Sequence, residues 1–223
     1  ILSSHSLIEG TQELPNILAI SRDIKLIDQK KGYPQNLLGL NQSYFDDLGK
    51  KYIDETKWAR SSTPFFIDKM PNNFVHIGLI KLILPKAKII DARRNPMDTC
   101  FSCFKQYFAK GQHFTYDLDD IARYYKDYVR LMDYWKKLFP EEIFTINYEQ
   151  VIENPNDRIR DLLEFCNVKF EDSCINFHKS KRPVKTASSE QVRQPMYKTG
   201  LDYWKNYSNH LDTLLKHFPE YDR

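Results

Sequence analysis

Two adjacent arginines follow an apolar run in residues 87–104, AKIIDARRNPMDTCFSCF. The run has the composition of a buried strand, and Asn95-Pro96 marks a helix start, since Asn caps free N–H groups and Pro suits the first helical position. Ligands of α/β proteins bind where strands end and helix N-termini carry partial positive charge. The pattern predicts that Arg94, with Ser102 two turns along the helix, holds a phosphate. A surface arginine and a helix-face serine fit the same spacing equally well.

The elements that position these residues alternate between strand and helix patterns. Strand composition occurs at residues 65–69, 87–93 and 142–148. Between the strands, apolar residues recur every three or four positions, most clearly over residues 118–139, which fits a core helix or a homodimer contact. This alternation predicts an α/β fold in which a central parallel sheet is flanked by helices.

Outside that alternation, two further segments have distinct patterns. Asn-Pro at 154–155 predicts a second helix start. Residues 172–200 are polar and basic with two prolines, which predicts a long surface loop, and an amphipathic helix is expected over about 201–217. No linker divides the 223 residues, so one domain spanning 1–223 is predicted.

Composition excludes several classes of function. A net charge of +3 is too mild for a basic nucleic-acid surface, and no apolar run approaches the ~20 residues of a membrane span. Four cysteines are too few for a disulfide scaffold, which favours reduced thiols. Cys100 of the Cys100-x-x-Cys103 pair belongs to the apolar stripe of its helix, which indicates core cysteines rather than a redox or zinc site. Seven glycines form neither Gly-x-Gly-x-x-Gly nor a Walker A sequence, so a dinucleotide oxidoreductase or an ordinary kinase is disfavoured.

A family resemblance is carried by Arg94-Asn95-Pro96-x-Asp98 with Ser102. This string resembles the 3′-phosphate-binding motif of sulfotransferases that use 3′-phosphoadenylyl sulfate (PAPS). Residues 68–74, 87–108 and 186–197 occur in the same order as in bacterial sulfotransferases often fused to tetratricopeptide repeats, which are relatives of tyrosylprotein sulfotransferases. The resemblance covers nearly the whole chain. It implies a P-loop-NTPase-like sulfotransferase fold, a cytoplasmic location, and tetratricopeptide repeats as an upstream fusion partner.

The resemblance also implies the ligand and the residues that bind it. PAPS is expected as the sulfonate donor and 3′-phosphoadenosine 5′-phosphate (PAP) as the product, with no metal. Arg94 and Ser102 would bind the 3′-phosphate, and Tyr148, at the end of the third predicted strand, would contact the adenosine part. Arg193, together with the basic loop around Lys185, is a further candidate phosphate contact because guanidinium groups pair well with phosphate.

Three residues are expected to act on the reacting groups. Glu13 aligns with the glutamate base of the tyrosylprotein enzymes, whereas cytosolic members use a histidine; a solvated loop carboxylate is the alternative. Lys69 would stabilise the bridging oxygen of the leaving phosphate, although a lysine at a strand end is also common without such a role. Ser188 resembles the family serine that touches the sulfonate or its neighbouring phosphate.

One motif of the family is not found in these residues. The phosphosulfate loop, of the type Gly-x-Pro-Arg-Ser-Gly-Thr-Thr, should lie just before Ile1, because residues 1–5 resemble the end of the helix that follows it. We expect the loop and its strand upstream. The alternative is a non-catalytic module that binds a nucleotide or a sulfated ligand, and lack of the loop would favour it. A kinase-like phosphoryl transferase on the same fold, which should need Mg²⁺, ranks third. Three classes of acceptor are compatible with the sequence: a peptide tyrosine, a glycan, and a small alcohol or phenol.

Overall fold

The computed structural model describes residues 1–27, 29–109, 111–180, 193–196, 198 and 200–221. The chain divides into two compact units. The first unit comprises Ile1–Ile89 and Leu163–Arg193, and the second comprises Ile90–Leu162 and Gln194–Arg223. None of the helices in the described residues is both long enough and apolar enough to span a bilayer.

Strands and helices alternate along the described chain, as the sequence predicts. The strands are β1 (Ile8–Gly10), β2 (Phe65–Ile67), β3 (Ile89–Arg93) and β4 (Ile143–Asn147). The α-helices are α1 (Asn16–Ile27), α2 (Gln42–Glu55), α3 (Ile77–Ile83), α4 (Pro96–Lys105), α5 (Leu118–Leu138), α6 (Tyr148–Glu153), α7 (Pro155–Phe165), α8 (Asp172–Ile175) and α9 (Asp212–His217).

The strands pair in two sets. β1 and β2 are parallel, with Ile8 opposite Phe65 and Gly10 opposite Ile67. β3 pairs with β4. The three strands predicted from composition are present with shorter bounds, whereas β1 has only three residues and was not predicted. The mixed α/β architecture is that of the predicted fold class.

The core of the first unit is built by α1, α2 and α3, whose apolar residues recur at helical spacing. The buried members are Ile17, Ile20, Ile24, Phe45, Leu48, Tyr52, Leu79, Ile80 and Ile83. Gly49 allows α2 to approach α3 closely, because a Cβ at this position would lie 2.1 Å from the carbonyl oxygen of Ile83. A side chain here would force the two helices apart.

The core of the second unit contains residues of α4, α5 and the C-terminal segment. Its buried members are Met97, Cys100, Phe101, Ile121, Ala122, Trp204, Leu211, Leu214 and Phe218. Burial raises the pKa of the Cys100 thiol to about 12. Cys100 is therefore a core residue, as its position on the apolar stripe predicts, and it is not poised to react as a thiolate.

Three predicted boundaries are wrong. Tyr148 does not end a strand but begins α6. The spacing of Cys100, Phe101, Phe104, Tyr107 and Phe108 predicts one apolar stripe on the helix after Asn95. α4 ends at Lys105, where Gln106 is extended, so Tyr107 and Phe108 lie beyond it. The helix expected over 201–217 is instead a 3₁₀-helix at Tyr203–His210 followed by the short α9.

The predicted loop at 172–200 is partly helical. Its described part contains α8 and a 3₁₀ turn at Phe177–Lys179. The loop prediction was based on irregular polarity and prolines, which do not exclude single helical turns. Residues 181–192 lie outside the described part of the chain.

Candidate functional site

The main chain at Arg94 is fixed between β3 and α4. The Asn95 side chain caps α4 by accepting hydrogen bonds from two backbone N–H groups of the first turn, at 2.9 and 3.3 Å. The backbone N–H of Asn95 donates to Glu149 of α6 at 2.8 Å, and the Tyr125 hydroxyl donates to the Arg94 carbonyl at 2.9 Å. The helix cap predicted from Asn-Pro therefore fixes the backbone position from which the Arg94 side chain extends.

The polar contacts of the Arg94 guanidinium with the described residues are made by one nitrogen, Nη2. Its Nη2 donates to the carbonyl oxygen of Gly200 and lies 3.8 Å from Oδ2 of Asp98. Its central carbon lies 5.5 Å from the centroid of the Tyr148 ring, which is cation–π distance. Its Nε is buried and has no hydrogen-bond partner among the described residues. We call Arg94, Asp98, Tyr148 and Gly200 the Arg94 cluster.

A buried cationic N–H without an acceptor is costly. A hydrogen bond to a charged group contributes about 1.5–3 kcal/mol, and an unsatisfied buried group loses that and its hydration. The Arg94 side chain as a whole is 29% exposed, so part of it is open to a ligand from solvent although its Nε is buried. An anion with oxygen acceptors is the ligand that these features fit.

An open cavity of about 270 Å³ adjoins Arg94 in the second unit. Its walls are polar and aromatic, and they come from the ends of β3 and β4 and from α4, α5 and α6. The lining residues are Arg93, Arg94, Asn95, Pro96, Tyr125, Asn147, Glu149 and Tyr221. A small polar molecule could be enclosed there without displacing the core.

Arg93 has a different role from that of its neighbour. Its Nε donates to Asp91 at 2.6 Å, and its Nη2 donates to Asp133 at 3.0 Å. The hydroxyl of Tyr128 also donates to the buried Asp91. Two carboxylates thus occupy the Arg93 guanidinium, which ties β3 to α5. Of the two adjacent arginines, Arg94 is the one with a buried donor that has no acceptor within residues 1–221 as far as these are described.

Glu13 and Lys69 lie together in the first unit. Lys69 donates to the Glu13 carboxylate, and their side chains are 60% and 44% exposed. Glu13 follows β1 and Lys69 follows β2, and parallel strands bring their carboxyl ends to the same edge. The N–H and hydroxyl of Thr11 both donate to the Ile67 carbonyl, at 3.2 and 2.7 Å, and join the two strand ends. A proton acceptor and a cation are therefore placed side by side.

Asp68 anchors the segment that carries Lys69. Its Oδ2 accepts a hydrogen bond of 2.7 Å from the Tyr52 hydroxyl in the core. Burial raises the pKa of the Asp68 carboxyl. The Lys69 side chain is exposed, whereas Asp68, the residue before it, is hydrogen-bonded to Tyr52 of α2.

The other predicted site residues are not gathered into these two groups. Ser102 lies on the exposed side of α4. Arg193 donates to the backbone carbonyl of Ser180 in the first unit. Ser188 lies outside the described residues. Their roles stay predictions.

Two members of the Arg94 cluster were not predicted as site residues. The Arg94-Asn95-Pro96-x-Asp98 motif contains Asp98 but predicts no separate role for it, and Gly200 is predicted only as the last residue of a surface loop. Gly200 is 106 residues from Arg94 in sequence, and its contact is made through a backbone carbonyl. The only signal for it was a glycine shortly before an aromatic segment, which is too common to assign a contact.

Comparisons with known proteins agree with this architecture. A family model described as the sulfotransferase family matches residues 1–172. An uncharacterized protein of Aquifex aeolicus (strain VF5) is 35% identical over 225 residues, which include 97% of this chain. This chain spans only 29% of that relative's length.

Two solved structures share the fold. The sulfotransferase domain from the Synechococcus PCC 7002 olefin synthase superimposes with a TM-score of 0.64 at 15% identity, covering 92% of this chain and 80% of that domain. The sulfotransferase domain from the curacin biosynthetic pathway gives a TM-score of 0.58 at 16% identity, covering 92% and 83% of the two chains. The predicted sulfotransferase fold is confirmed. By its family match and its fold, the chain belongs to the sulfotransferase family.

Proposed function

We propose that the protein transfers a sulfonate group from PAPS to an acceptor hydroxyl and releases PAP. The observation that carries this proposal is the Arg94 cluster, in which a buried guanidinium Nε finds no acceptor in the part of the chain that the structure describes. Membership of the sulfotransferase family makes a phosphate of the donor nucleotide the natural anion for this position. Arg94 then distinguishes the donor from nucleotides that lack the 3′-phosphate.

The cluster supports nucleotide binding beyond a single ion pair. The Tyr148 ring lies within cation–π distance of the guanidinium and favours its present position. A Cβ added at Gly200 would lie 3.6 Å from Nη2 of Arg94 and 3.8 Å from the Tyr148 hydroxyl, which is van der Waals contact with both. Gly200 therefore lies directly beside these two side chains. A fixed, desolvated donor binds a phosphate more strongly than a mobile surface arginine does.

The Glu13–Lys69 pair supplies the groups that transfer needs. PAPS provides a sulfonate that is already activated by its bond to a phosphate. Glu13 accepts the proton of the acceptor hydroxyl as the new S–O bond forms. Lys69 donates to the oxygen that keeps the electron pair when the old S–O bond breaks. In the present structure these two side chains neutralise each other, so ligand binding must separate them.

The acceptor belongs to the class of alcohols or phenols, whether on a peptide tyrosine, a glycan or a small molecule. All three present a hydroxyl whose proton Glu13 would remove. Because Glu13 and Lys69 are both exposed, a hydroxyl can reach the pair from solvent. The proposal therefore assigns the hydroxyl group, and an acceptor screen assigns its carrier.

The test is release of PAP from PAPS by the full-length gene product. Each acceptor class is supplied in turn as a tyrosine peptide, a glycan mixture or a simple phenol, and PAP is measured by chromatography. The proposal predicts acceptor-dependent PAP release that is lost in Glu13→Gln and in Lys69→Ala. If PAP binds tightly but no acceptor class gives release above the Glu13→Gln variant, the protein is a non-catalytic nucleotide-binding module instead.

A further inference from the structure

We propose that Asp98 is a positioning residue for the anion site. Its carboxylate fixes the segment at residues 200–204 and the Arg94 guanidinium in one arrangement, and thereby sets the preference for a 3′-phosphate. The identity of the ligand in this inference rests on the proposed function. The arrangement itself is a feature of the second unit alone.

Both oxygens of Asp98 are committed to the C-terminal segment. Oδ2 accepts from the backbone N–H of Asp202 at 2.9 Å, and Oδ1 accepts from the backbone N–H of Trp204 at 3.2 Å. The side chain is 2% exposed. A buried carboxylate is unfavourable unless its oxygens are hydrogen-bonded or paired, so these two contacts keep it in place.

The segment that Asp98 holds has an unusual backbone conformation. Asp202 has a φ of 55° in the left-handed region, which non-glycine residues seldom adopt. This turn leads the chain from Gly200 into the 3₁₀-helix at Tyr203–His210. The hydrogen bond from the Asp202 N–H to Asp98 holds the turn, and Gly200, two residues earlier, presents its carbonyl to Arg94.

Asp98 also acts on Arg94 directly. Its Oδ2 lies 3.8 Å from Nη2, the same nitrogen that donates to Gly200. One nitrogen of the guanidinium is thus restrained by a hydrogen bond to Gly200 and an ion pair with Asp98, while the buried Nε has no acceptor among the described residues. A carboxylate repels a phosphate, so the position of Asp98 is explained by restraint of Arg94 and not by contact with the ligand.

The test compares PAP with 5′-AMP as ligands of the full-length protein and its Asp98→Asn variant by calorimetric titration. An asparagine of the same shape places an NH₂ group against a backbone N–H, so one of the two contacts to residues 200–204 is lost. We expect the preference for PAP over 5′-AMP to fall by about tenfold or more, mainly through weaker PAP binding. Affinity for 5′-AMP, which lacks the 3′-phosphate, should stay the same.

Hydrogen exchange gives a readout that needs no ligand. The amides of Asp202 and Trp204 should exchange faster in Asp98→Asn than in the wild type. Asp119→Asn is the matched control, since Asp119 is another first-turn acid of the second unit and pairs with His217 and Arg123, each at 2.6 Å. It should change neither the ligand preference nor these two amides.

The outcomes separate this inference from the proposed function. An unchanged PAP preference in a folded Asp98→Asn protein overturns the inference and leaves the proposed function standing. An equal loss of affinity for PAP and 5′-AMP also overturns it, because that is the mark of a merely structural role. Absence of any PAP preference in the wild type rejects the proposed function and the inference with it. If Asp98→Asn does not fold, Asp98→Glu replaces it, and a smaller loss of preference is expected.

Discussion

The Arg94 cluster and the Glu13–Lys69 pair differ in how much protein holds them. Arg94 is fixed by a helix cap, by a hydrogen bond and an ion pair on one nitrogen, and by an aromatic ring. Glu13 and Lys69 are about half exposed and are held chiefly by each other. The proposed binding group is preorganised, whereas the proposed reactive groups are free to change partners. This division suits a transferase, because the donor must be bound firmly while proton and leaving-group contacts form only during reaction.

Of the changes predicted here, substitution of Glu13 in the exposed Glu13–Lys69 pair should reduce turnover the most. Glu13→Gln removes the proton acceptor and should lower turnover by about 10²–10⁴-fold, the usual contribution of a general base. The measurement is acceptor-dependent PAP release together with PAP titration, and affinity should be unchanged. Glu55→Gln is the matched control, because Glu55 is an exposed acid of the same unit that pairs with Lys51 at 3.9 Å. Full turnover in Glu13→Gln would assign the base to another residue.

A change in stability should distinguish the structural role of Arg93 from the binding role proposed for Arg94. Asp91→Asn removes the buried charge that pairs with Arg93 and accepts from Tyr128, so unfolding free energy should fall by about 3 kcal/mol. Urea unfolding measures this change. The preference for PAP over 5′-AMP should be retained, because Arg94 is held by Gly200 and Asp98. A lost preference at unchanged stability would contradict the separation of the two arginines.

A smaller effect tests how firmly the Arg94 cluster is organised. Tyr148→Leu keeps apolar bulk but removes the ring from the guanidinium, and PAP affinity should fall by about fivefold, equivalent to ~1 kcal/mol for a cation–π contact. Calorimetric titration measures it. Tyr148→Phe, which keeps the ring, separates the ring from the hydroxyl. Equal losses in the two variants would show that the hydroxyl matters and the ring does not.

The smallest effect concerns acid sensitivity in the first unit. Burial lowers the pKa of His76 from 6.5, and its Nδ1 lies 2.9 Å from the Tyr33 hydroxyl. The unfolded chain therefore binds a proton at His76 more readily than the folded chain does. Stability is lost as pH falls below 6.5 towards the lowered folded pKa. Urea unfolding at neutral and mildly acidic pH should show a smaller acid loss in His76→Gln, and an equal loss would assign the sensitivity to other groups.

Local sequence signals predicted the elements around Arg94 well. Asn95-Pro96 gave the start of α4, because capping depends on a few adjacent residues. The apolar run before it gave the position of β3 but not its burial, since Asp91 is the buried residue of this strand and Ala92 is exposed. The proximity of Glu13 and Lys69 was implied only by the family resemblance, because β1 is too short to show a pattern.

Long-range contacts could not be predicted from the sequence. Asp98 accepts from the backbone N–H of Asp202, 104 residues away, and a backbone donor leaves no signal in the residue type, while aspartate itself is usually solvated. The segment over 201–217, where periodicity alone suggests one helix, begins with a left-handed turn at Asp202 and divides at Leu211 into a 3₁₀-helix and α9. The Asp202 N–H is hydrogen-bonded to Asp98, a tertiary contact that local propensity does not report.

The assignment of Arg94 as the 3′-phosphate site is tested by calorimetric titration of the full-length gene product with PAP, with 5′-AMP for comparison and Arg94→Ala as the variant. We expect PAP to bind more tightly than 5′-AMP, and Arg94→Ala to lose about 2–3 kcal/mol of PAP affinity while 5′-AMP is little affected. Equal affinity for PAP and 5′-AMP in the wild type, or a preference that survives Arg94→Ala, would contradict the assignment of Arg94 as the 3′-phosphate site.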